Sequence, residues 1–233
     1  MTVGDVAARV EAIRARIGEA CAVAGRDPAS VTLVAASKSQ PPDRLRAAWE
    51  AGVRDFGENR VQEAAAKQGE LADLPLAHWH LLGPLQSNKV RQAADLFATY
   101  HALDRPKILT AVAAEAHRRG VTVDGFAEVN LGGEASKHGF VPEAVRQALA
   151  PFFVLPGLRL VGLMAIPPPG ADAEASRPWF RRLRALRDEL VSAPGFEGFP
   201  GWLSMGMSDD FVVAIEEGAT HVRVGTALFG PRG

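Results

Sequence analysis

A single cysteine, Cys21, is all that the 233-residue sequence offers for thiol chemistry. That scarcity excludes an intramolecular disulfide and any multi-cysteine metal site, and it fits a reducing compartment. Cys21 falls on the apolar stripe of the first predicted helix, so we assign it to packing rather than to reactivity. Tyrosine is equally scarce, with Tyr100 the only one. No apolar run approaches the roughly 18 residues of a membrane span. The opening Met1-Thr2-Val3-Gly4-Asp5 lacks the basic stretch and apolar segment of a secretory signal, so the expected location is the cytoplasm. Charge of one sign is missing too: 26 Lys and Arg stand against 27 Asp and Glu, a formal net charge of -1. Such a balance gives no electrostatic grip on nucleic acid or anionic lipid. The basic cluster Arg181, Arg182 and Arg184 recurs at helical spacing beside Asp188 and Glu189, as a solvated helix face would. No Gly-x-Gly-x-x-Gly comes after the first strand-like run, and no Walker loop occurs, which weighs against a nucleotide-binding α/β fold.

The remainder is ordinary globular material, 47% hydrophobic and 23% charged. The length suits one domain, residues 1–233, since α/β barrels reach this size without splitting. Val3, Val6, Val10, Ile13, Ile17, Ala20 and Ala24 recur at steps of three and four, predicting an amphipathic helix that ends at Gly25. We expect this helix to pack against the bottom of the domain. From residue 31 short apolar runs alternate with helical stretches. Strands are predicted at 31–37, 53–57, 78–82, 98–103, 124–131, 159–166, 201–205 and 221–224, with helical patterns at 43–51, 88–96, 105–119, 142–153, 175–190 and 209–217. Eight strands alternating with helices predict a parallel α/β architecture, closed as a (β/α)8 TIM-type barrel with an extra N-terminal helix. An open doubly wound sheet is the alternative. Pro167-Pro168-Pro169-Gly170 predicts a stiff loop at the barrel mouth.

The chemistry gathers at strand ends. Lys38 closes the first apolar run and emerges into Ser39-Gln40-Pro41-Pro42. Desolvation there would favour the free amine, which can attack an aldehyde to form an imine; a salt-bridge role fits the position equally well. The last two apolar runs end in small and hydroxyl residues, Leu203-Ser204-Met205-Gly206 and Val224-Gly225-Thr226. Barrel loops after strands seven and eight often hold a phosphate on backbone N–H groups. A lysine facing such a cradle is how a barrel would hold pyridoxal phosphate. Arg223, if it points inward, can donate to a pyridine nitrogen and discourage its protonation; pairing with a carboxylate such as Glu128 is the other reading. Asn59 can offer an amide, and Glu58 is read as the anchor of a cationic neighbour. His78 and His80 are expected on opposite faces of their strand, with one imidazole inside the barrel, and we assign no metal.

Taken together, Ala36-Ser37-Lys38, Phe56-Gly57-Glu58-Asn59, Trp79-His80 with Gly83-Pro84-Leu85-Gln86-Ser87-Asn88-Lys89, Gly162-Leu163-Met164-Ala165-Ile166, Ser204-Met205-Gly206-Met207-Ser208-Asp209-Asp210 and Val222-Arg223-Val224-Gly225-Thr226 carry a resemblance. In order and spacing the chain resembles the pyridoxal phosphate homeostasis protein family, also called YggS or PROSC. The likeness runs over nearly the whole chain. It implies a single-domain barrel related to the N-terminal domain of alanine racemase, holding pyridoxal 5'-phosphate as an imine on Lys38. It further implies phosphate binding at Ser204, Gly225 and Thr226, with backbone help from Met205 and Gly206, and Arg223 at the ring nitrogen. Asn59, His80 and Met164 match positions near the cofactor. Where many relatives carry tyrosine after Gly-Glu-Asn, this chain has Arg60, so a phenol contact there is not carried over.

This resemblance and the residues together leave two functions. In one, the protein carries pyridoxal phosphate, supports vitamin B6 balance and hands the cofactor to PLP-dependent apoenzymes. In the other, it is a racemase-type enzyme with weak activity. A racemase needs a second acid/base on the ring face opposite the lysine. Tyr100 lies inside a predicted strand, and no second domain is evident to close over the cofactor, so the sequence favours the carrier, acting as a monomer. His80 or Lys137 would be substitutes for the missing base, and Lys89 and Lys137 are the other candidate sites of a covalent adduct.

Overall fold

The computed structural model describes residues 3–133 and 138–230; Lys137 lies outside them. Eight parallel strands form a closed barrel in sequence order: β1 Thr32–Ala36, β2 Asp55–Glu58, β3 His78–Leu81, β4 Thr99–Leu103, β5 Val123–Glu128, β6 Leu158–Met164, β7 Trp202–Met207 and β8 His221–Val224. Closure is explicit in the register, since β1 pairs with β2 through Val34 and Asp55 and with β8 through Thr32 and His221. That last pairing removes both sheet edges and rules out the open-sheet alternative. Strands buried on both faces read as apolar runs, which is why they stand out in the sequence without strict alternation.

Outward-facing residues such as Ala35, Phe56, Trp79, Leu81, Met205 and Val222 join the helices in one continuous core. Ala102, Phe126, Val161 and Met164 form a separate cluster with Trp202 packed against it. Beside that cluster the barrel interior is unusually polar. His101 stacks on Phe126 at 4.6 Å, and His221 meets the same ring edge-on at 5.0 Å.

The helices are α1 Val3–Val23, α2 Pro42–Glu50, α3 Val61–Glu70, α4 Val90–Ala93, α5 Pro106–Arg118, α6 Val145–Leu149, α7 Arg177–Val191, α8 Phe211–Glu216 and α9 Thr226–Phe229. The N-terminal helix corrects one expectation. It lies along the barrel wall against α2, α8 and α9, not across the bottom. The cause is at the last strand of the barrel, where the helix after β8, α9, has four residues among those described. The eighth helix is thus too short to cover the wall between α2 and α8, and α1 fills that place. Val6, Val10, Ile13, Ile17, Ala20 and Cys21 are buried there. Arg14 and Arg26 tie the helix down through the carbonyls of Ala51 and Ile215, both at 2.9 Å, and Arg16 sits over the Phe211 ring.

Two predicted helices are shorter than expected. The 142–153 pattern breaks into single turns around α6, with Pro142 opening one 3-10 turn and Pro151 at the second position of another. The 88–96 pattern contracts to α4 behind one 3-10 turn. Helix α3 has no counterpart among the predicted patterns.

Candidate functional site

Lys38 sits two residues past β1 on a turn at the C-terminal mouth of the barrel, partly buried. The turn is pinned from below. Lys67 Nζ, on the inner face of α3, donates to the Ser37 carbonyl, to Glu58 Oε1 and to Glu63 Oε1, each at 2.7 Å. Ser37 Oγ donates to the same Glu58 oxygen, and Glu63 accepts from the Ser39 backbone N–H. Ser39 has φ +60°, a left-handed conformation that costs a non-glycine residue about 1–2 kcal/mol. Lys38 is therefore presented by a braced turn. Glu58 is the anchor of a cation, as its position suggested; burial pushes its carboxyl up, against the hydrogen bonds from Lys67 and Ser37.

Lys38 shares a cavity of about 200 Å³ with Gln40, Ser208, Asp209, Arg223, Gly225 and Thr226. Four expected residues, Lys38, Arg223, Gly225 and Thr226, thus meet in one place. Ser204, Met205 and Gly206 do not. Strand β7 runs on to Met207, past the predicted end at 205, so these three lie inside the ladder. Met205 packs in the outer core, and a Cβ on Gly206, which has φ +90°, would come within 2.5 Å of Ala214 Cβ. The loop hydroxyl is Ser208, whose Oγ accepts from the backbone N–H groups of Gly225 and Ala227 at 3.2 and 3.1 Å. Asp210 holds this loop by accepting from the Met207 N–H and from Ser176 Oγ. The hydroxyls of Ser208 and Thr226, joined by the amides of Gly225 and Ala227 when Ser208 gives them up, make a donor set suited to a phosphate. At Gly225 a Cβ would stand 3.1 Å from the Ala36 carbonyl, so the loop comes close to the strand that delivers Lys38.

Arg223 points inward and is buried. Its Nη1 donates to Ser204 Oγ at 2.6 Å and its Nη2 to the Ala165 carbonyl at 3.2 Å. Neutral acceptors hold it; among the described residues no salt bridge reaches it, Glu128 included. Burial accordingly pulls its pKa down to about 10. Ser204 is also 2.7 Å from His101 Nδ1, His101 Nε2 is 2.9 Å from His80 Nδ1, and His80 Nε2 is 3.0 Å from Asp55 Oδ1. His78 Nδ1 approaches the same Asp55 oxygen at 3.4 Å. His78 and His80 thus share a face, contrary to expectation, because strand positions two apart point the same way. Burial drives His101 well below its ordinary pKa and His221 down to about 3. Burial raises the Asp55 carboxyl, but the hydrogen bonds from His80 and His78 outweigh it and leave the group below its usual range.

Met164 is buried in the Phe126 cluster at the end of β6. Asn59 lines a different and larger cavity at the mouth, about 640 Å³, with Arg60, Gln86, Lys89, Arg105 and His138. Size alone would choose that cavity. The amine, guanidinium and phosphate-type donors converge on the smaller one, and chemistry decides the assignment. Tyr100 is fully buried in β4 beside Phe97, and burial pushes its phenol up. Sequence reasoning missed Ser208, His101, Asp55 and Lys67. Only Ser208 had a signal, its place in the quoted Ser-Met-Gly-Met-Ser segment.

Residues 8–233 match the family model for the alanine racemase N-terminal domain. A pyridoxal phosphate homeostasis protein from Pseudomonas aeruginosa is 48% identical over 227 residues, covering 97% of this chain and 96% of that protein. The structure of PipY from Synechococcus elongatus, solved with PLP bound, superposes with a TM-score of 0.83 at 37% identity, covering 97% of this chain and all of that one. Alanine racemase from Corynebacterium glutamicum shares the fold, with a TM-score of 0.70 at 17% identity; this chain covers 61% of it. The chain belongs to the pyridoxal phosphate homeostasis protein family, built on the alanine racemase N-terminal domain.

Proposed function

We propose that the protein binds pyridoxal 5'-phosphate in the 200 Å³ cavity and carries it, as a cytoplasmic monomer, to PLP-dependent apoenzymes. The convergence of Lys38, Arg223 and the Ser208–Thr226 donor set on that cavity carries this reading. Each end of the cofactor has a matching partner: an amine for the aldehyde, N–H and hydroxyl donors for the phosphate, and a guanidinium for the ring nitrogen. Lys38 would hold the aldehyde end through its amine, which can condense with a carbonyl with loss of one water. When bound, the cofactor supplies an electron sink, which Arg223 weakens because a guanidinium does not protonate the ring nitrogen. That weakness supports a carrier over a racemase. So does Tyr100, whose hydroxyl is buried in β4 and remote from any role as the opposite-face acid/base.

The visible absorbance of the purified protein, combined with borohydride reduction and peptide mapping, tests the proposal. A yellow species reduced onto Lys38 is expected. No such species after adding pyridoxal phosphate overturns it. Racemisation of free amino acids by the loaded protein at ordinary enzyme rates would overturn the carrier half alone. Thr226→Val should weaken cofactor binding by about 1–3 kcal/mol if its hydroxyl bonds the phosphate. Affinity equal to wild type by equilibrium titration removes Thr226 from the cradle.

A further inference from the structure

Arg223 ends a hydrogen-bond chain whose direction can be worked out atom by atom. A guanidinium only donates, so Arg223 Nη1 occupies one lone pair of Ser204 Oγ. The Ser204 hydroxyl has a single proton, and the neighbour placed to accept it is His101 Nδ1. A proton on that nitrogen would strand the buried hydroxyl without an acceptor. His101 is neutral in this interior, so its one N–H sits on Nε2 and is given to His80 Nδ1. His80 in turn carries its proton on Nε2 and donates it to the Asp55 carboxylate. From Arg223 to Asp55 every donor meets one acceptor, without a reversal.

We infer that Asp55, His80 and His101 are positioning residues which, through Ser204, fix how Arg223 is presented to the ring nitrogen of a bound pyridoxal phosphate. The inference rests on the cofactor reading above. A chain of hydrogen bonds running one way polarises each member in the same sense, and here a cation and an anion terminate it with matching sign. Removing the Asp55 acceptor frees His80 to move its proton to Nδ1. His101 then loses its acceptor, Ser204 can lose its own, and Arg223 loses its fixed partner. Asp55 stands at the far end of the barrel strands from Lys38, so its effect on the cofactor runs through this chain.

Nitrogen-15 spectra of the wild-type histidines should show the proton shared between His80 and His101 carried on His101 Nε2, and the His80 proton on Nε2. An Nδ1–H form of either residue overturns the inference, and this readout needs no variant to fold. Ser204→Ala and Asp55→Ala, titrated with pyridoxal phosphate beside wild type, should each bind about tenfold more weakly, the loss of one charge-assisted hydrogen bond. Their visible band should shift while reduction still labels Lys38. Variants with wild-type affinity and band overturn the positioning role, whatever happens to their melting temperature. A wild type that binds no pyridoxal phosphate overturns the cofactor reading and this role with it; a wild type that binds, beside unaffected variants, overturns the role alone.

Discussion

Lys38→Ala should yield a folded protein that retains no borohydride-stable adduct with pyridoxal phosphate. The two halves of that outcome have separate causes. The Lys38 ammonium makes no hydrogen bond or ion pair among the described residues, and the turn that carries it is held by Lys67, Glu58 and Glu63 rather than by its own side chain. Truncating a partly exposed, unpaired side chain changes stability by no more than about 0.5 kcal/mol. Imine formation, by contrast, has no substitute amine in the cavity, since Lys38 is its only lysine among the described residues. Mass spectrometry after reduction checks the adduct, and a urea titration checks the fold. A label that persists on Lys89, which lines the larger cavity, or on Lys137, overturns the assignment of Lys38. A melted variant would show that Lys38 has a structural role the geometry does not reveal.

The barrel was legible in the sequence because a parallel sheet covered on both faces imposes a simple rhythm of apolar runs and helical stretches. Lys38, Arg223, Gly225 and Thr226 were brought together for a related reason: Arg223 is one position from the end of its run and the others come just after theirs, and strand ends at one mouth converge whatever the loops do. The misplaced hydroxyl has a local cause. The register between β7 and β8 shifts between Ser204 and Met207, so the strand absorbs residues that a regular ladder would have released to the loop. Its one mark in residue type is Gly206, whose φ of +90° falls within the irregular stretch. Ser204 faces into the barrel in register with Met164 and His221, ahead of the shift, and Ser208 follows in the loop. Helix α3 was missed because its buried stripe is Val61, Ala64 and Lys67. The third member is a charge, and an apolar periodicity search does not count it. His101 lay within a predicted strand with no motif around it, so its burial against Phe126 emerged only from three-dimensional contacts. The position of α1 depended on how short α9 is, some 200 residues further along the chain, and no local pattern encodes that.

Lys67→Met should be the most damaging single change to the braced turn, costing about 3–5 kcal/mol at neutral pH because it leaves a buried carboxylate without its cation. Glu58 is fully buried, Lys67 nearly so, and they meet at 2.7 Å. Two further contacts go with the ammonium: the Ser37 carbonyl loses its donor, and Glu63, which holds the Ser39 N–H, loses its neutralising partner. The left-handed Ser39 then has less to hold it, and Lys38 is presented less firmly, so adduct formation should slow as well. The pH dependence gives the signature. The folded-state pKa of Glu58 is already raised by burial and opposed chiefly by the Lys67 hydrogen bond, so removing Lys67 raises it further. A carboxyl that binds its proton more tightly in the folded state gains stability as pH falls from its folded pKa towards the unfolded value of about 4.3. Lys67→Met should therefore recover part of its loss on acidification, relative to wild type. Adding Glu58→Gln removes the stranded charge, so the double variant should be more stable than Lys67→Met at neutral pH and should lose that acid recovery. Urea unfolding of the three proteins at neutral and mildly acidic pH decides the matter. Equal stability of the single and double variants at both pH values would mean that the Glu58 charge is not what Lys67 compensates.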